Sequence, residues 1–450
     1  MIVTHSELRA RFAQALSHLY GTEVPAYNTL VDVAEAVNRD YQKAHPDVAE
    51  RLGSIERVTA ERHGAIRVGS PKELSQVARV FGAVGMHPVG FYDLRDAQPN
   101  PIPVVSTAFR PTDRDELAKN PFRVFTSMLV PEDRRFFDEV VEERLVTFIG
   151  ARTLFRAELL QLADSSIEHG GLSPSRADAF IELATASFAL SSDPVDRRWY
   201  DELEMISSVA SDIGGVTSTH INHLTPRVLD IDDLYQRMSG LGITMIDEIQ
   251  GPPRWDGPDV LLRQTSFRAL AEPRNFQEDD GSVSTGHLRV RFGEVEARGI
   301  ALTVAGREHY DWMVALADRR QADSGGLRTE VALDVWREHC PASERELLVR
   351  DHGYFNFTVA GDPPHGEKPH DLVALVDGGW VTAEPLVYED FLPRSAAGIF
   401  ASNLTGEGSV DSSQGAADRD LAWMSDQIGV MVHDPQVIYS REREASFREA

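Results

Sequence analysis

The chain has 450 residues, 42% of them hydrophobic and 26% charged. That balance excludes a disordered chain, a collagen and a disulfide-rich miniprotein, and the length suits two or three domains. Its 71 acidic and 45 basic side chains leave a formal charge of −26, a surface that repels nucleic acid phosphates and anionic membranes.

An anionic substrate would need a locally basic pocket against that field. The single cysteine, Cys340, forbids an intrachain disulfide and removes cysteine-rich zinc and iron–sulfur sites. Its neighbour His339 points elsewhere in any regular element, so a thiol–imidazole pair is not expected. The N-terminus shows neither a basic start nor an apolar core of a signal peptide. No stretch reaches the ~18 apolar residues of a membrane-spanning helix, and a cytoplasmic protein is expected.

In chain order, residues 6–20 and 28–42 have helical apolar spacing and form a lead-in over 1–57. Residues 58–131 read as a β-α-β-β-β unit. It has a strand over Val58–Val68, a helix over 71–83 capped by Ser70 and opened by Pro71, and strands at 85–92, 102–109 and 122–130. Residues 132–212 read as an all-helical insert of about three helices. A second unit over 213–320 follows, with strands at Thr219–Val228, 242–249, 259–270 and 287–298, and helices at 231–240 and 306–318. Residues 321–450 form a C-terminal mixed region that closes the site, and the tail after 404 is expected to be partly loose.

The two units share a pattern. His63-Gly-Ala-Ile-Arg67-Val68-Gly-Ser70 and His223-Leu-Thr-Pro-Arg227-Val228-Leu-Asp230 both follow H-x-x-x-R-V-x-[S/D]. Each is followed by a helix and then by Gly-apolar at the start of a strand, Gly85-Met86 and Gly242-Ile243. Side chains alternate across a strand, so each unit presents its histidine and arginine on one face. Phe292, Glu294, Glu296 and Arg298 likewise share a face of the closing strand. Two histidines and a carboxylate from three strands, His63, His223 and Glu294, are the ingredients of a facial triad. Such a triad suits Fe(II), Mn(II) or Co(II) and leaves coordination positions open. Taken singly, a strand histidine is more often a hydrogen-bonded core group than a ligand, and Glu294 could instead pair with Arg291 or Arg298. The histidines of His365-Gly-Glu-Lys-Pro-His370 read as loop residues. The sequence holds no Walker A loop, no G-x-G-x-x-G after a strand and no H-E-x-x-H.

Paired β-α-β-β-β modules with ligands on first and last strands resemble the vicinal oxygen chelate superfamily. The closing Glu294-Val-Glu-Ala-Arg298 resembles the last-strand ligand region of 4-hydroxyphenylpyruvate dioxygenases. The match is closer to the 2-oxoadipate dioxygenase/decarboxylase (hydroxyglutarate synthase) family. It is carried by Arg62–Arg67, His220-Ile-Asn-His223-Leu-Thr-Pro-Arg227, Gln264-Thr-Ser-Phe-Arg-Ala-Leu270, Phe292-Gly-Glu294-Val-Glu296 and Ser395-Ala-Ala-Gly-Ile-Phe400.

The resemblance implies an α+β fold in which paired modules form a metal-binding half-barrel interrupted by the helical insert. It implies His63, His223 and Glu294 as Fe(II) ligands, with Arg67 and Ser395 at the substrate. His220 is a rival to His223, but three residues apart on a regular strand they face opposite ways. Glu296 is a weaker rival to Glu294. Arg394 departs from a small apolar residue of that family and bears on the chain length or polarity of the substrate. The implied reaction takes 2-oxoadipate and dioxygen to 2-hydroxyglutarate and carbon dioxide, a step of lysine breakdown. Arg67 is the candidate for the distal carboxylate, because a guanidinium fork matches it in shape and charge. The competing readings are a redox-neutral metal-dependent lyase or isomerase and a metal-free small-molecule binding protein.

Overall fold

The strand Arg62–Val68 is buried along almost its whole length because it lies inside a sheet rather than at an edge. In the computed structural model, residues 2–46, 55–97, 101–289, 291–362, 364, 366–392, 399, 403 and 417–449 are described. The first unit contributes four strands to a five-stranded sheet in the order His87–Asp93, Val104–Arg110, Arg123–Leu129, Arg62–Val68, with His223–Pro226 of the second unit beyond. The His63 strand runs parallel to Arg123–Leu129 on one side and antiparallel to the His223 strand on the other. The crossover between the two parallel strands includes the helix Pro71–Gly82. Ser70 caps it by accepting from Glu73 N at 3.3 Å, and Pro71 opens it as expected.

The second unit repeats this topology. The His223 strand is bridged in parallel to the Glu294 strand (Gly293–Arg298) through Arg227 and Glu296. That strand pairs antiparallel with Leu262–Phe267, which in turn bridges to Met245 and Gln250. The helix Ile231–Gly240 is capped by Asp230 and occupies the place of Pro71–Gly82. The expected strand over 242–249 is reduced to isolated bridges. The strand expected over Thr219–Val228 is shortened to His223–Pro226, and that over 259–270 to Leu262–Phe267.

Other differences have physical causes. The expected strand at 287–298 is two elements: the end of a hairpin, Glu272–Gln277 with Val283–Leu288, and then Gly293–Arg298. The hairpin is polar on both faces, burying Arg274 and Phe276 but half-exposing its second strand, so it lacks a clean apolar alternation. The insert holds five helices among the described residues, between Glu139 and Gly214, where about three are expected from the breakers. The helix Arg328–His339 buries only Ala332, Val335 and Trp336 among charged neighbours, too thin a stripe to read. The tail is not loose where it is described: Leu421–Ile428 and Pro435–Glu449 are helices. The last is anchored by Tyr439, whose hydroxyl donates to Asp390 Oδ2 at 2.5 Å. Among the described residues no helix is long and apolar enough to cross a membrane.

The lead-in helices His5–Glu23 and Pro25–Ala44 brace the junction of the two units. Tyr20, fully buried, donates through its hydroxyl to Phe292 O at 2.7 Å and Asn222 O at 3.0 Å. Those carbonyls flank the strands that carry His223 and Glu294.

Candidate metal centre

His63 and His223 meet because their strands are antiparallel neighbours. His63 stands opposite Thr225 and His223 opposite Ala65, so the histidines are diagonal partners on one face. Their ring centroids are 5.3 Å apart. Glu294 arrives from the strand on the other side of His223, where Val228 N donates to Glu296 O at 2.8 Å. Its Oε2 lies 3.1 Å from His223 Nε2 and its Oε1 3.8 Å from His63 Nε2. One donor atom from each residue lies within 4.8 Å of the others, and all three side chains are buried.

Gln264 donates its amide to Glu294 Oε1 and so turns the carboxyl toward the histidines. Among the described residues Phe125, Phe391 and Ile399 also line the site, with about 20 Å³ of free space between them. That is room for one water-sized ligand. Phe391 sets its ring edge-on to His63 at 5.0 Å. It is held by its neighbours Glu389 and Asp390, which are ion-paired to Arg57 with Arg123 and to Arg110.

Burial pushes the pKa of His63 down and that of His223 well below the ordinary value; His63 and Arg67 push His223 further. Both rings are therefore neutral, the form that ligates a metal. Burial, then the charge of Glu296, raises the Glu294 carboxyl well above the usual range, with Arg298 opposing. Neither ring nitrogen of His223 has a hydrogen-bond partner. A buried polar group is seldom left so. Two imidazoles and a carboxylate around a shared point fit a divalent first-row metal, and three protein ligands leave positions for exchangeable ones.

The repeat explains why there are three. Aligning His63 with His223 also aligns Arg67 with Arg227. Arg67 pairs across its parallel neighbour with Ser127, and Arg227 with Glu296. Two residues earlier on those strands, Phe125 takes the place of Glu294. An aromatic ring thus stands where symmetry would put a fourth donor.

The rivals fall elsewhere. His220 precedes the shortened strand His223–Pro226 instead of sitting on it, 3.4 Å from Asp212 Oδ1 and 3.1 Å from Asn222 Nδ2, and burial drives its pKa down to about 4. Glu296 Oε2 lies 2.9 Å from His63 Nδ1, the nitrogen facing away from Glu294. Burial alone would raise its carboxyl, but Arg298, His63 and Arg123 hold it well below the usual range. Cys340 is buried, its thiol pushed up to about 12 by burial, which removes it as a nucleophile. His370 is exposed, as a loop residue should be.

Arg67 is buried on the strand that carries His63, but it is not among the residues lining the small cavity. Its guanidinium pairs with Asp212 of the insert helix Ser208–Gly214, and Thr219 Oγ1 donates to its carbonyl at 2.8 Å. Arg394, Ser395 and His365 lie outside the described residues. Gln264, Phe125, Phe391 and Asp212 carry no role in the sequence reading. Gln264 does open one of the segments that carry the family resemblance, Gln264–Leu270, which was the available signal for it.

Residues 12–403 match the sequence profile of 2-oxoadipate dioxygenase/decarboxylases. The chain belongs to that family. A 2-oxoadipate dioxygenase/decarboxylase of Mycobacterium tuberculosis (strain ATCC 25618 / H37Rv) is 54% identical over 433 residues, covering 96% of this chain and 95% of the relative. One from Escherichia coli (strain K12) is 37% identical, covering 99% and 98%. The crystal structure of the hydroxyglutarate synthase in complex with 2-oxoadipate from Pseudomonas putida superposes with a TM-score of 0.84 at 34% identity, covering 99% of this chain and 98% of that one.

Proposed function

We propose that His63, His223 and Glu294 hold Fe(II), and that the chain converts 2-oxoadipate and dioxygen to 2-hydroxyglutarate and carbon dioxide. The observation that carries this reading is the convergence of three buried donors within 4.8 Å, one of them a histidine that makes no aligned hydrogen bond among the described residues. Bound there, the metal supplies a chelation point for a 2-oxo acid and a place to activate dioxygen.

The chain's own residues do the rest. The two imidazoles, their pKa values pushed down by burial, ligate in their neutral form, and Glu294 ligates as the carboxylate that its raised pKa disfavours. Gln264 keeps the Glu294 carboxylate aimed inward by donating to Oε1. Phe125, Phe391 and Ile399 exclude water from the reacting atoms.

Arg67 takes the distal carboxylate of the substrate, with Asp212 holding its guanidinium until then. Ser395 and Arg394 serve as further substrate contacts. They fall in sequence between Phe391 and Ile399, two residues that already line the site. We place the units at 58–131 and 213–320, the insert at 132–212 and the C-terminal region at 321–450, and the reaction in the cytoplasm.

The test is oxygen uptake by anaerobically prepared, Fe(II)-loaded protein given 2-oxoadipate, with His63→Ala as control. Uptake matched by carbon dioxide and 2-hydroxyglutarate, and lost in the variant, is expected. Absence of uptake by the loaded wild type would refute the reading.

A further inference from the structure

Behind the three donors lies a buried group of charges that the proposed reaction does not use. Glu296 is fully buried and its carboxylate is engaged from two directions. On one side Arg298 grips both oxygens, Nε to Oε1 at 2.6 Å and Nη2 to Oε2 at 3.0 Å, while Arg123 Nη1 reaches Oε1 at 3.2 Å. On the other side Oε2 lies 2.9 Å from His63 Nδ1. The ring is not aligned with that oxygen for a hydrogen bond, so Nδ1 has one carboxylate within reach and no partner. Such bonds are often poorly aligned until a site is filled.

The arginines are themselves fixed. Arg298 Nη1 donates to the carbonyls of Tyr388 at 2.6 Å and Asp390 at 3.1 Å, and Arg123 Nη1 to Glu61 Oε1 at 2.7 Å. Both side chains are fully buried. Glu296 therefore has little freedom to rotate toward the cavity and serve as a ligand. It also cannot be removed from His63 without breaking a bidentate pair in the interior, which is costly.

We infer that Glu296 is a positioning residue: it accepts the Nδ1 proton of His63, fixes the ring as the Nδ1–H tautomer and presents Nε2 to the metal. A carboxylate behind a ligating histidine sets its orientation and makes it a better donor. Among the described residues no counterpart stands behind His223, whose Nδ1 makes no hydrogen bond there. The two histidines are thus unequal, and His63 is the anchored one. The inference rests on the reading of His63, His223 and Glu294 as ligands.

The experiment titrates Co(II) into metal-free wild type, Glu296→Gln and His63→Ala, and records the visible spectrum of each complex. Glu296→Gln should weaken Co(II) binding by about 10–100-fold and shift the bands. His63→Ala should weaken it further. If His63→Ala binds Co(II) as wild type does, the ligand assignment fails and the inference with it. If His63→Ala loses the metal while Glu296→Gln matches wild type in affinity and spectrum, the inference alone is overturned. Should Glu296→Gln fail to fold, ¹⁵N-histidine NMR of the unmutated metal-free protein decides. The resonance missing from His63→Ala should be the Nδ1–H tautomer, and an Nε2–H tautomer would refute the role of Glu296.

Discussion

Replacing His223 by leucine separates a metal ligand from a structural histidine. Leucine has a similar volume, so the substitution removes polar atoms without opening a large cavity. In the metal-free protein His223 Nδ1 is buried with no partner, and Nε2 has only the Glu294 carboxyl at 3.1 Å. Counting Nδ1 alone, relief of one unsatisfied buried group is worth about 1–3 kcal/mol. A chain of 450 residues has an unfolding entropy near ~0.9 kcal/mol/K at ~2.1 cal/mol/K per residue. Metal-free His223→Leu should therefore melt about 1–3 °C above metal-free wild type. Metal works the other way. At about 100 times its Kd, Co(II) stabilises the wild type by ~2.7 kcal/mol, about 3 °C on the same scale. The variant should show no such increment. Differential scanning calorimetry with and without Co(II) reads both quantities. A metal-free variant that melts several degrees lower, or one that still gains stability from Co(II), would refute the reasoning.

Metal binding should release a proton over the pH range in which the raised pKa of Glu294 leaves its carboxyl protonated, since burial and then Glu296 push it up while both histidines are pushed down. Affinity then falls as pH is lowered, and calorimetric titration in buffers of different ionisation enthalpy should find about one proton released per metal below neutrality; zero release would count against it. Arg67→Met should lower kcat/KM for 2-oxoadipate by about 10–100-fold, the worth of a charge-assisted hydrogen bond. It should change much less for 2-oxohexanoate, which lacks the distal carboxylate, and equal losses on both acids would assign Arg67 a purely structural part. Cys340, buried with its thiol pushed up to about 12, should resist an aromatic disulfide reagent at pH 8 and react only as the chain unfolds; a rapid reaction of the native protein would contradict its placement.

Much of the site could be read in the sequence because strands impose a strict period. His63 with Arg67 and His223 with Arg227 share a spacing that gains its weight from the matching order of elements around them, and that order is repeated in the structure. Strand alternation does not reach His220, which precedes the strand His223–Pro226; its pairing with Asp212 is what sets it apart from His223. Choosing between Glu294 and Glu296 was beyond that logic, since residues two apart share a face. What separates them is Arg298, which engages Glu296, and Gln264, which engages Glu294. The partner of Arg67 was illegible for another reason: Asp212 comes from the insert, 145 residues away in sequence, and no local pattern connects them. The hairpin Glu272–Gln277 with Val283–Leu288 escaped because it buries too little to alternate.

Phe125 gives the duplicated fold a direction. Two equal halves would offer a central ion four donors and leave it fewer positions for exchangeable ligands. With a phenyl ring in one of the four symmetric places, the second unit contributes two of the three candidate donors and the first only His63. The halves are then free to diverge under different demands. On the proposed reading, changes near Phe125 would alter what is admitted beside the ion, whereas changes around Glu294 would decide whether an ion is held at all.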